Sequence, residues 1–116
     1  MRKQSILLTT LLFMAFAVNA QWSIDPGQNL QVTNSTNEQV IPKVAVCPNG
    51  HYYIGYFSLE NQNYNVRLQY LDSQGNILWQ PNGILISNHT SMTWLTDWDI
   101  VADNENNAIL TSQDIR

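Results

Sequence analysis

The sequence predicts an all-β fold, and three observations carry that expectation. Apolar and polar residues alternate with a spacing of two through much of the chain beyond residue 40. Turn signatures, Asn-Gly and Asp-x-x-Gly, separate these runs. Beyond the first twenty residues, no stretch of ten or more keeps a helical period.

In chain order, the first element is a leader, residues 1–20. Arg2 and Lys3 are followed by the uncharged apolar run Ile6 to Val18, and Val18-Asn19-Ala20 places small residues at −3 and −1 of a signal-peptidase site. The run is shorter than the roughly 20 residues that span a bilayer core, so cleavage between Ala20 and Gln21 is expected, with no membrane span left afterwards. Cys47 lies too far from that site to anchor a lipid. The expected destination is the medium or the cell surface.

Residues 21–40 form a polar lead-in with a Pro26-Gly27 turn and one expected strand at Leu30–Thr33. Residues 41–116 hold the strongest β signals. Val44 and Val46, then Tyr52, Ile54 and Tyr56, alternate on either side of Pro48-Asn49-Gly50, which predicts a hairpin. Val66, Leu68 and Tyr70 alternate before Asp72-Ser73-Gln74-Gly75, and Ile77 and Trp79 resume the alternation after it. Pro81-Asn82-Gly83 turns the chain again into Ile84–Ser87. A last hairpin is expected from Asp99–Ala102, the loop 103–107 and Ala108–Ser112.

The chain also repeats. At an offset of 56, Lys43 to Ile54 lies over Asp99 to Leu110 without a gap. Identities are absent, but both flanking strands and the polar turn coincide, and two hairpins in about 50 residues match one four-stranded propeller blade. Leu71-Asp72-Ser73-Gln74-Gly75-Asn76-Ile77-Leu78-Trp79, with Asn82-Gly83 and Ser112-Gln113-Asp114-Ile115-Arg116, resembles repeats of secreted bacterial β-propeller-like proteins. Ser112 stands where such repeats usually carry tryptophan. The resemblance covers about residues 40–116 and implies incomplete β-propeller blades of a larger protein truncated at its C-terminus, of the kind that often carries a C-terminal type IX sorting domain. The Asp-box of sialidase-type propellers does not carry over. Two residues rather than one separate Asp72 from Gly75, and no Thr precedes Trp79.

Charge narrows the partners. Beyond residue 20, three basic side chains (Lys43, Arg67, Arg116) face nine acidic ones, a net charge of −6. Nucleic-acid binding needs a basic patch, and docking to anionic lipid needs the same, so neither is expected. Cys47 is the lone cysteine, which excludes a disulfide within the chain and reads most simply as a small buried hydrophobe.

Chemistry-bearing clusters are few. Asp97, Asp99, Asp103 and Glu105, with Asn104, Asn106 and Asn107, offer the oxygens calcium needs, but the D-x-D-x-D-G order and distal Glu of a calcium loop are missing. A hairpin turn is the simpler reading, and no cofactor is expected. Trp94 and Trp98, with His89 and Tyr64, are candidates for an aromatic ligand platform. Asp97 and Asp99, two apart on a strand, share a face and resemble a glycosidase carboxylate pair in nothing else. His51 is expected as an exposed turn residue. Asn34-Ser35-Thr36 and Asn88-His89-Thr90 match the N-glycosylation acceptor, which matters only in a host with that machinery. The expected function is therefore a non-enzymatic extracellular module binding a glycan or protein. The alternatives are part of a propeller-type glycoside hydrolase and a stand-alone small β-sandwich.

Overall fold

The computed structural model describes residues 25–91 and 97–115. Among them are six strands: β1 (Gln39–Val46), β2 (Tyr52–Glu60), β3 (Asn63–Leu71), β4 (Ile84–Ser87), β5 (Asp99–Ala102) and β6 (Ala108–Thr111). The first four form an antiparallel meander in the order β1-β2-β3-β4, and β5 pairs with β6 in a second, two-stranded sheet. The all-β expectation holds. The described sheets are open and do not close into a barrel or propeller.

The repeat seen at offset 56 is reproduced in the pairing register. Lys43, Val44, Ala45 and Val46 oppose Gly55, Ile54, Tyr53 and Tyr52, while Asp99, Ile100, Val101 and Ala102 oppose Thr111, Leu110, Ile109 and Ala108. The turns match as well. Cys47 N donates to His51 O (2.9 Å) as Asp103 N does to Asn107 O (2.9 Å). Gly50 and Asn106, at equivalent positions, both have positive φ (83° and 67°), the αL residue that closes such a loop. The Asp72 turn is a third copy of this design, with Asp72 N donating to Asn76 O (3.0 Å) and Gly75 at φ 84°.

Two sequence expectations change. Leu30–Thr33 is not a strand; its neighbours' backbone donors are taken by a side chain, as described below. Ile77 makes one isolated bridge to Leu71, and the ladder partner of β3 is β4, starting at Ile84. Between β2 and β3 lies a two-residue turn, Asn61-Gln62, with φ of 51° and 65°, which no glycine announces. On β1 the register shifts between Val40 and Lys43. Pro42 has no N–H to give a ladder, so a bulge is where it does least harm.

The core lies between the meander and the β5–β6 hairpin. Ala45, Tyr53, Phe57, Val66 and Leu68 on one face of the meander meet Trp98 and Ile100. Trp98 packs edge-on against Phe57 (centroids 5.5 Å apart, interplanar 87°). A Cβ on Gly55 would lie 2.9 Å from Trp98 Cη2 and Cζ3, so the indole occupies the space that glycine leaves. Lys43 Nζ lies 5.4 Å from the Trp98 ring centroid, donates to Trp98 O and is 3.6 Å from Asp99 Oδ1. Cys47 is buried, as expected, and burial pushes its thiol up. Val44 and Val46 are 57 % and 63 % exposed, because the covered face of β1 is the one bearing Ala45.

Candidate functional site

A polar surface cleft is built around Asn82. Gly83 N donates to Gln80 O (3.1 Å), Pro81 leads the turn and Asn82 sits at φ 65°, where asparagine is better tolerated than most residues. The turn aims the Asn82 amide at the lead-in segment. Its Oδ1 accepts from Thr33 Oγ1 (2.7 Å), Asn34 N (2.7 Å) and Ser35 N (3.0 Å). That one acceptor fixes residues 33–35 without a β-ladder.

On one side of this clasp is a polar cleft of about 440 Å³, with Thr33, Ser35, Ser58, Glu60, Arg67 and Asn82 in its wall. Arg67 opposes Tyr56 and Glu60 opposes Asn63, so the Arg67 side chain reaches along the shared face of the β2–β3 hairpin to meet Glu60. Arg67 Nε donates to Glu60 Oε1 (2.5 Å) and Nη2 to Oε2 (3.1 Å), while Asn65 Nδ2 adds a third bond to Oε2 (3.1 Å). The Arg67 guanidinium holds the Glu60 carboxyl below its ordinary range. Tyr56 donates its hydroxyl to Asn82 O (2.7 Å), and burial pushes its phenol up.

On the other side is a notch of about 250 Å³, lined by Trp79, Ile77, Pro81 and Val32 with Gln31 and Asn34. Trp79 is half-buried and held from behind by Tyr53 and Tyr70, whose rings stack 4.5 Å apart and lie 5.8 and 5.5 Å from the indole. His51 joins this cluster through Nδ1, 2.9 Å from Tyr70 Oη, instead of standing free in solvent.

The protein-family models, curated proteins and solved structures searched contain no match to this chain.

Of the two platform candidates, Trp94 and Trp98, only Trp98 lies among the described residues. Trp98 is 4 % exposed and encased by Phe57, Gly55 and Lys43, so it offers no face to a ligand. Its indole N–H is buried without a hydrogen-bond partner among the described residues. His89 is exposed in the segment after β4, and Tyr64 packs against the core. Trp94 lies outside the described residues, as do Ala20 and Gln21 of the expected cleavage site.

The acidic loop is a turn. Asp103 Oδ1 accepts from Glu105 N and Asn107 N (2.8 Å each), and Oδ2 from Asn107 Nδ2 (3.0 Å). The Asn107 side chain and backbone hold the Asp103 carboxyl below its usual range. Among the described residues no three potential His, Cys, Asp or Glu ligands converge. Asp97 and Asp99 are exposed, and Asp99 turns to Lys43.

Glu60 gives the cleft a defined pH response. Its folded pKa is depressed, so its stabilising contribution is complete above the unfolded value near 4.5 and is lost as pH falls through the folded value. Glu60→Gln is expected to cost about 1–2 kcal/mol at pH 7, in line with hydrogen bonds to charged groups. That deficit should shrink steadily below pH 4.5. Urea midpoints of both proteins at pH 7 and pH 3 check it, and a gap of constant size would exclude the role given to the ion pair.

Proposed function

We propose that this chain is a secreted or cell-surface β-repeat protein, built of propeller-like units, that binds a neutral glycan without transforming it. The export-type leader supports the location. The four-stranded meander followed by a hairpin of identical register supports the repeat reading.

One observation carries the ligand class: the braced Trp79 shares a notch with Gln31 and Asn34, beside the polar cleft. A sugar ring is apolar on its faces and hydroxylated at its edge, so a rigid aromatic surface beside amide donors and acceptors fits both parts. Binding sites generally combine such apolar walls with a few placed polar groups. In this cleft the carboxylate, Glu60, is engaged by Arg67 and held ionised, a poor general acid near neutrality.

The test uses protein recovered from an exporting host, whose first residue is expected to be Gln21 by mass spectrometry. Neutral oligosaccharides (β-linked glucose and N-acetylglucosamine series) are titrated while tryptophan fluorescence is followed. A saturable change is expected, weakened at least tenfold by Trp79→Ala and by the paired substitution Gln31→Ala/Asn34→Ala. Binding that survives both variants would place the ligand elsewhere.

A further inference from the structure

Each hairpin of the repeat has two apolar faces, and near its tip only one face of each is covered inside the chain. The first hairpin offers Ala45, Tyr53 and Gly55; the second covers them with Trp98, Ile100, Ala102 and Leu110. Register equivalence then identifies what is left over. The free face of the first hairpin, Val44, Val46 and Ile54, corresponds position by position to Ile100, Ala102 and Leu110 of the second. The free face of the second, Val101 and Ile109, corresponds to Ala45 and Tyr53. Val44, Val46, Val101 and Ile109 are 57, 63, 50 and 51 % exposed.

We infer that these two free faces are the halves of a head-to-tail interface through which one copy of the chain packs on a second, repeating the contact already made within it. Two details beyond hydrophobicity fit that occupant. Within the chain the large Trp98 enters the gap at Gly55. At the equivalent positions of the free faces, Pro42 stands for Trp98 and Thr111 for Gly55, so the smaller projection meets the filled gap. Charge also stays complementary. Lys43 and Asp99 are equivalent positions and pair within the chain at 3.6 Å; a second copy would set its Lys43 beside the first copy's Asp99.

A face that is complementary to a different face cannot close a dimer, so association is heterologous and open-ended. The hairpin-tip bonds are not repeated, because Gly50 and Ile109 lack the groups that Asn106 and Tyr53 use within the chain. Association should therefore be weak, setting in above about 100 µM, as expected of a small interface.

Sedimentation velocity on the full chain decides the matter. Wild type should show a concentration-dependent series of dimers and longer species. V44E/V46E and V101E/I109E each block one face and should be monomeric alone, yet mixed in equal amounts they should form a 1:1 dimer and nothing longer. V46K and I109K provide the same reading if a double variant loses its near-ultraviolet spectrum. A wild type that stays monomeric at 1 mM would overturn the inference, as would either double variant dimerising by itself. Sugar binding plays no part in this experiment, so its outcome is independent of the proposed ligand.

Discussion

Gly83→Ala is expected to destabilise the protein by about 2–5 kcal/mol, from a left-handed backbone and an overpacked contact together. Two costs add. Gly83 has φ 68°, a conformation that costs an L-residue about 1–2 kcal/mol. Its Cβ would also lie 2.5 Å from the carbonyl oxygen and 2.9 Å from the carbonyl carbon of Leu68. Leu68 is buried at the centre of β3 and paired on both sides, so that carbonyl cannot yield as the end of a flexible side chain would. Relief must come from moving the Asn82-Gly83 turn, which carries the acceptor shared by the Thr33, Asn34 and Ser35 donors. Gly50→Ala separates the terms. Gly50 has φ 83°, but its Cβ would meet nothing nearer than Ser73 Cβ at 3.7 Å, so the conformational cost alone should appear. Urea denaturation of both variants measures the difference, and equal losses would mean that the Leu68 contact is easily relaxed.

The contrast between those glycines shows how far the sequence could be read. Both belong to Asn-Gly pairs, and both mark turns. Local chemistry gives that much, because αL demands are met within a few residues. The approach of Gly83 to Leu68 is a tertiary fact with no local signature. The same boundary runs through the fold. The offset of 56 located β5 and β6 with their turn and register, since period two and turn type fix a hairpin internally. It could not choose the inward face. Val44 and Val46 look like core, yet Ala45 and Cys47 are buried, because both faces of the hairpin are apolar and the second hairpin selects one.

Ambiguity of the same kind extends to the tryptophans. Four tryptophans are indistinguishable as exposed or buried from their neighbours alone. Trp98 is buried because a glycine four strand positions from the Asn-Gly turn leaves it room, and Trp79 lines a notch because the lead-in segment is clasped beside it by Asn82. Strand β4 was legible, but its partner was not. Ile77 and Trp79 alternate as well as Ile84 and Ile86 do, and only the geometry of the Pro81-Asn82 turn hands β3 to the later segment.

Gly55→Val is expected to eject the Trp98 indole and cost about 2–4 kcal/mol, through overpacking of a filled site and loss of the edge-on contact with Phe57. Gly55 lies mid-strand with no positive φ, where valine would ordinarily improve a strand; a loss there can only reflect the 2.9 Å approach. Trp98→Ala alone should cost about 3–5 kcal/mol, as truncating a buried tryptophan does. In the double variant the valine fills part of the space the indole left, so the two losses should fall short of their sum by about 2 kcal/mol or more. The location of the damage is a second reading. Because Trp98 leads into β5 and bridges the two sheets, hydrogen exchange in Gly55→Val should accelerate across β5 and β6 while β2 and β3, paired over nine positions, keep their protection. Additive losses, or exchange accelerated equally in all six strands, would show that the hairpin is held by something other than the tryptophan seated against Gly55.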